Sequence, residues 1–150
     1  MATYTDTLGF IKGTASYPHD PQSVTRIQVK LDFAKIVAAR AAAGATALAA
    51  ADVLEVMPLP AGAIVIAAGL QVVTAETVNT TATFSFGYGG ATAAYAATAA
   101  SNATGFTAAN LANPTVFATA DTLDVLINTA APTNAVIVVT AIVANIGVTI

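Results

Sequence analysis

The chain has 150 residues, 37 of them Ala and 22 Thr, against five basic and eight acidic residues, with no Cys, no Trp and one His. That length fits a single domain, and a composition so apolar is not that of a disordered chain. The lack of Cys excludes disulfides, thiolate catalysis and cysteine metal sites, and a net charge of −3 argues against an electrostatic nucleic-acid binder.

Residues 1–23 read as an extended arm, because Gly9, Gly13, Pro18 and Pro21 interrupt them and no apolar period runs through them. Tyr4, Phe10, Ile11 and Tyr17 are apolar enough to anchor that arm on a neighbour, although a frayed terminus is an equal alternative. A single β-sandwich domain is expected over residues 24–150. Its clearest strand is 26–33, where Ile27, Val29, Leu31 and Phe33 alternate with Arg26, Gln28, Lys30 and Asp32. A short helix follows, with Asp32 as N-cap, Arg40 in the last turn and Gly44 at the C-terminal stop. Strands are expected at 52–57 and 63–73, separated by a Pro-Leu-Pro-Ala-Gly turn, with Gly69 a candidate bulge. Another covers Ala82 to Tyr88, ending at a Gly89-Gly90 turn. Residues 91–110 are so rich in small side chains that loop, helical turn and strand all stay open. Residues 115–119, 122–128 and 135–149 return to strand. Six or seven short strands with Pro/Gly turns predict an all-β fold, an antiparallel β-sandwich of the jelly-roll kind with one helix.

The charges are divided along the chain. All five basic residues, Lys12, Arg26, Lys30, Lys35 and Arg40, lie in the first forty positions, and 44 consecutive residues between Glu76 and Asp121 carry no charge. Strands 63–73 and 135–149 are apolar on both alternation sets, so one face of each needs a cover. A neighbouring subunit is the simplest cover, and homo-oligomerisation is expected; a monomer solubilised by Thr, Ser and Asn is the alternative. Membrane spans are not expected, because Pro58, Pro60, Gly62 and Gly69 break one uncharged stretch and polar residues break the other. Residues 1–6 lack the pattern of a signal peptide, so synthesis in a cytoplasm is expected.

Reactive constellations are scarce. His19 beside Asp20 sits in the arm with no nucleophile assigned to it. The pairs Asp52/Glu55 and Asp121/Asp124 are three apart, a spacing that places strand residues on opposite faces, and they read as solubilising surface charges. Gly87-Tyr88-Gly89-Gly90 lacks the features of a phosphate loop. No catalytic, cofactor-binding or metal-ligating set is legible, and an enzyme is not expected.

The segments Leu31 to Arg40, Asp52-Val53-Leu54-Glu55-Val56-Met57-Pro58-Leu59-Pro60-Ala61-Gly62 and Ala120-Asp121-Thr122-Leu123-Asp124-Val125 resemble small virion structural proteins of tailed bacteriophages, of the head-decoration (cement) type. The resemblance spans roughly residues 25–150 and is one of pattern rather than of a diagnostic motif. It implies a sandwich that trimerises on the capsid exterior and clamps the major capsid protein, with neither nucleic acid nor membrane as partner. The expected assembly contacts are Tyr4, Phe10, Ile11, Tyr17, Arg26, Lys30, Lys35 and Arg40. The alternative is a receptor- or glycan-binding fibre or knob module, whose binding aromatics would be Tyr88, Tyr95 and Phe106.

Overall fold

The computed structural model describes residues 1–13, 24–111 and 116–145. Nine strands and one helix follow in the order β1 (Thr3–Tyr4), β2 (Val24–Asp32), α1 (Phe33–Ala42), β3 (Val53–Leu59), β4 (Ala63–Thr74), β5 (Thr83–Tyr88), β6 (Ala91–Ala100), β7 (Gly105–Ala108), β8 (Asp121–Ile127) and β9 (Val136–Asn145). They form a five-stranded sheet ordered β1-β3-β8-β5-β6 and a four-stranded sheet ordered β2-β9-β4-β7. From β2 onward all but one of the connections carry the chain from one sheet to the other, and every pairing among β2 to β9 is antiparallel. This interleaving is the jelly-roll order that the strand spacing predicts.

The inner faces follow the alternation in the sequence. Ile27, Val29 and Leu31 of β2 meet Ala141, Val139 and Ile137 of β9 in register, and all six are buried. The opposite sheet contributes Leu54, Phe84, Phe86, Leu123, Val125 and Ile127. Phe33 stacks on Phe84 at 5.3 Å between ring centroids, which ties the start of α1 to the far sheet. Asp32 caps α1 by accepting from the Lys35 backbone N–H at 3.3 Å, and Gly44, at φ +64°, follows its end. The helix buries Phe33, Ile36 and Arg40, which share one face at spacings of three and four.

Residues 91–110 resolve into strands. Large side chains on β5 supply the burial that the Ala-rich partner lacks: Phe84 pairs with Ala99 and Phe86 with Ala96, and both alanines face the core. The register then slips so that Tyr88 pairs with Ala91, leaving Tyr95 to fold inward against Phe86 and Tyr88. Gly69 is not a bulge; it sits in register between Thr140 and Ala108, and the irregularities in β4 fall at Ile66 and Val73. Of the strand expected at 115–119, the described part makes only an isolated bridge between Val116 and Ile64. The 135–149 strand is β9 as far as Asn145, and residues 146–150 lie outside the described ones.

The first thirteen residues are built into the sandwich. β1 adds a short parallel pairing to β3, and Phe10 enters the core. Gly9, at φ +87°, passes so close to Ile36 that any side chain there would collide with the helix backbone.

Candidate assembly surface

The structure overturns the assignment to a solubilising surface for one member of each acidic pair, while Glu55 and Asp121 stay partly exposed. Asp52 and Asp124 are buried, as is Glu76. Asp52 accepts from the Ala2 and Ala49 backbone N–H groups at 3.0 and 2.8 Å, which fixes the N-terminus against the start of β3. Asp124 lies directly opposite Glu55 across β3 and β8, so one member of each sequence pair meets the other pair's member. Burial pushes the Asp124 carboxyl up to about 6; the Glu55 and Asp121 charges add to this, and the Thr122 hydroxyl and Lys12 oppose it. Glu76 accepts from the backbone N–H of Val78, Asn79, Thr133, Asn134 and Ala135 and from the Thr133 hydroxyl, at 2.7–3.2 Å. Burial alone would raise its pKa, but the Asn134, Thr133 and Val78 hydrogen bonds outweigh it and hold it at about 2. Each carboxylate among the described residues has a hydrogen-bond or ion-pair partner: Asp6 takes Arg40, Asp32 caps α1, Glu55 takes Lys12 and Asp121 accepts from the Thr122 N–H.

The cations are not balanced in the same way. Arg40 is consumed internally, with Nη1 2.8 Å from Asp6, Nε donating to the Thr46 carbonyl, and the guanidinium 3.8 Å above the Tyr4 ring centroid. Lys35 sits only loosely near Asp32, at 4.0 Å. Arg26 and Lys30, both exposed, have no ion-pair or hydrogen-bond partner among the described residues.

Arg26 and Lys30 stand on the outer face of the four-stranded sheet, and register places apolar residues beside them. One cross-strand row runs Arg26, Ile142, Ala67; the next runs Gln28, Thr140, Gly69, Ala108; a third runs Lys30, Val138, Gln71, Phe106. Phe106 is 65% exposed, and its ring lies over Gly69 in the space a Cβ would take. A basin of about 310 Å³ opens between Arg26, Gln28, Gly69, Phe106 and Ile142. Val24, Ile66 and Val73 on this sheet are also exposed, whereas no strand of the five-stranded sheet carries a large exposed hydrophobic. Both apolar alternation sets of β4 and β9 are thus explained: one set fills the core, and the other lies on this face. Beside it, Gly9 to Gly13 and β2 enclose a groove of about 560 Å³ rimmed by Lys12, Arg26, Lys30 and Lys35.

The residues expected to make assembly contacts therefore divide. Tyr4, Phe10 and Arg40 are buried within their own chain. Ile11 (86% exposed), Arg26, Lys30 and Lys35 remain at the surface, on or near the outer face of β2. Tyr17 and His19 lie outside the described residues. Of the aromatics that a receptor module would use, Tyr88 and Tyr95 are packed with Phe86 and Phe117, and only Phe106 is exposed. Among the described residues no group of three or more His, Asp or Glu is placed to hold a metal ion, and no helix is long and apolar enough to cross a membrane.

No family profile matches the chain, and no curated protein matches it. Two solved structures share its fold. A chain from the acid-stable capsid structure of the Helicobacter pylori bacteriophage KHP30 superimposes with a TM-score of 0.60 at 14% identity, over 84% of this chain and 91% of that one. A chain from the capsid of Ralstonia phage GP4 gives 0.57 at 17% identity, over 95% and 96%. At such identities the likeness is one of fold, and it covers more than four-fifths of each chain.

Proposed function

We propose that this protein is a structural component of a bacteriophage virion that decorates the capsid exterior as a cement protein. In this role it assembles as a homo-oligomer, a trimer by preference, and ties neighbouring copies of the major capsid protein together. The observation that carries the reading is the fold likeness, across more than four-fifths of each chain, to chains from two bacteriophage capsid structures. The site fits the role, because cementing needs buried area across subunit boundaries rather than a reactive group. The outer face of the four-stranded sheet offers exposed apolar side chains and the exposed cations Arg26 and Lys30 for that purpose.

The test is quantitative mass spectrometry of purified particles of the phage that encodes the chain. A decoration protein is present in fixed ratio to the major capsid protein and is accessible to surface-labelling reagents on intact particles. Absence from particles, or protection from labelling until the shell is opened, refutes the exterior role.

A further inference from the structure

We infer that the outer face of the β2-β9-β4-β7 sheet is the docking surface and that it binds an apolar protein surface bordered by carboxylates along the β2 edge. The inference rests on the decoration reading and names the face and the chemistry of its partner. Three observations converge on it. The exposed hydrophobics Val24, Ile66, Val73 and Phe106 gather on this sheet. Arg26 and Lys30, which have no ion-pair or hydrogen-bond partner among the described residues, stand in the same cross-strand rows as Ile142 and Val138. Phe106 is already held over Gly69, so an anchoring ring is presented with little ordering left to do on binding.

The charge pattern selects the partner. The chain is acidic overall, yet its described carboxylates are engaged internally, and on this face Arg26 and Lys30 have no partner among the described residues. Two cations amid apolar side chains are far too few to neutralise a run of phosphates, which excludes a nucleic-acid backbone as the fitting partner. They suit carboxylates at the rim of a protein contact, where complementary charge sets register and encounter rate. Three strands of nine to twelve residues and the four-residue β7, about 4.8 Å apart, present about 550 Å², close to the lower end of one partner's share of a specific interface.

The test uses shells depleted of this protein and three full-length proteins: wild type, the double variant Arg26→Glu/Lys30→Glu, and Phe106→Ser. Co-sedimentation gives apparent affinity, analytical ultracentrifugation gives oligomeric state, and thermal melting checks folding, which substitutions at exposed positions leave intact. The double variant is expected to bind about ten-fold or more weakly, and Phe106→Ser likewise, with oligomeric state unchanged. Wild-type attachment should weaken as salt rises, and in the double variant, which sets carboxylates against carboxylates, that dependence should reverse. Full occupancy by both variants overturns the inference while leaving the decoration reading standing. A changed oligomeric state with shell binding retained identifies the face as a contact between copies of this chain and also overturns it. Failure of the wild type to bind shells refutes the decoration reading and this inference with it.

Discussion

Replacing Glu76 with Gln should remove a large share of the stability of the sandwich, and the loss should depend on pH in one direction only. The Glu76 carboxylate joins the segment after β4 to the segment before β9, accepting from Thr133, Asn134 and Ala135 on one side and from Val78 and Asn79 on the other. An amide keeps the shape but turns one acceptor into a donor facing backbone N–H groups, leaving buried donors unpaired. The pKa gives an independent magnitude. Held at about 2 against 4.5 for an ordinary Glu, the group contributes about 3 kcal/mol at neutral pH. For a chain of this size that corresponds to a melting temperature lower by about 6–12 °C in Glu76→Gln. Because the folded pKa is depressed, the contribution is complete above 4.5 and is lost as pH falls towards 2. The difference between wild type and variant, measured by denaturant unfolding, should be constant from pH 8 to about 6 and shrink by about 2 kcal/mol by pH 3. A difference below about 0.5 kcal/mol at pH 7, or one that does not change down to pH 3, refutes the reasoning.

Asp124 should behave in the opposite sense. Its raised pKa of about 6 makes the folded state lose stability as pH rises through that value, so Asp124→Asn should gain about 1 kcal/mol on wild type between pH 5 and pH 8 in paired melting curves. Arg40→Met should cost about 2 kcal/mol, because it leaves the Thr46 carbonyl without its donor and strips the Asp6 ion pair and the Tyr4 contact; urea unfolding checks it. Phe84→Ala opens a cavity under Phe33 and should cost about 3–5 kcal/mol, read by the same unfolding curves.

Local pattern revealed those parts of the structure that local physics decides. Strand β2 alternates cleanly because one face is core and the other is solvent, and the Asp32 cap and Gly44 stop bracket the helix within a residue or so. Ala91 to Ala100 carries no such period, since Ala fits either face; its strand is dictated by Phe84 and Phe86 across the ladder. Gly69 reads as a bulge from the sequence, but what the glycine accommodates is the ring of Phe106, some forty positions away. The buried acids were illegible for the same reason. The main donors to Glu76 lie 57 to 59 residues further along the chain, and no spacing rule connects them. The basic residues concentrated in the first forty positions include Arg26 and Lys30 on the outer face of β2. That concentration could not separate Arg26 and Lys30, which have no partner among the described residues, from Arg40, which the fold uses to hold Asp6 and Tyr4.

The central claim is tested most directly by a cryo-EM reconstruction of the intact phage particle. Density for this jelly roll is expected on the outside of the shell, bridging adjacent capsid subunits, with Arg26, Lys30 and Phe106 turned towards an acidic capsid surface. A particle whose exterior lacks the chain, or one that carries it with the β2-β9-β4-β7 face open to solvent, contradicts the account.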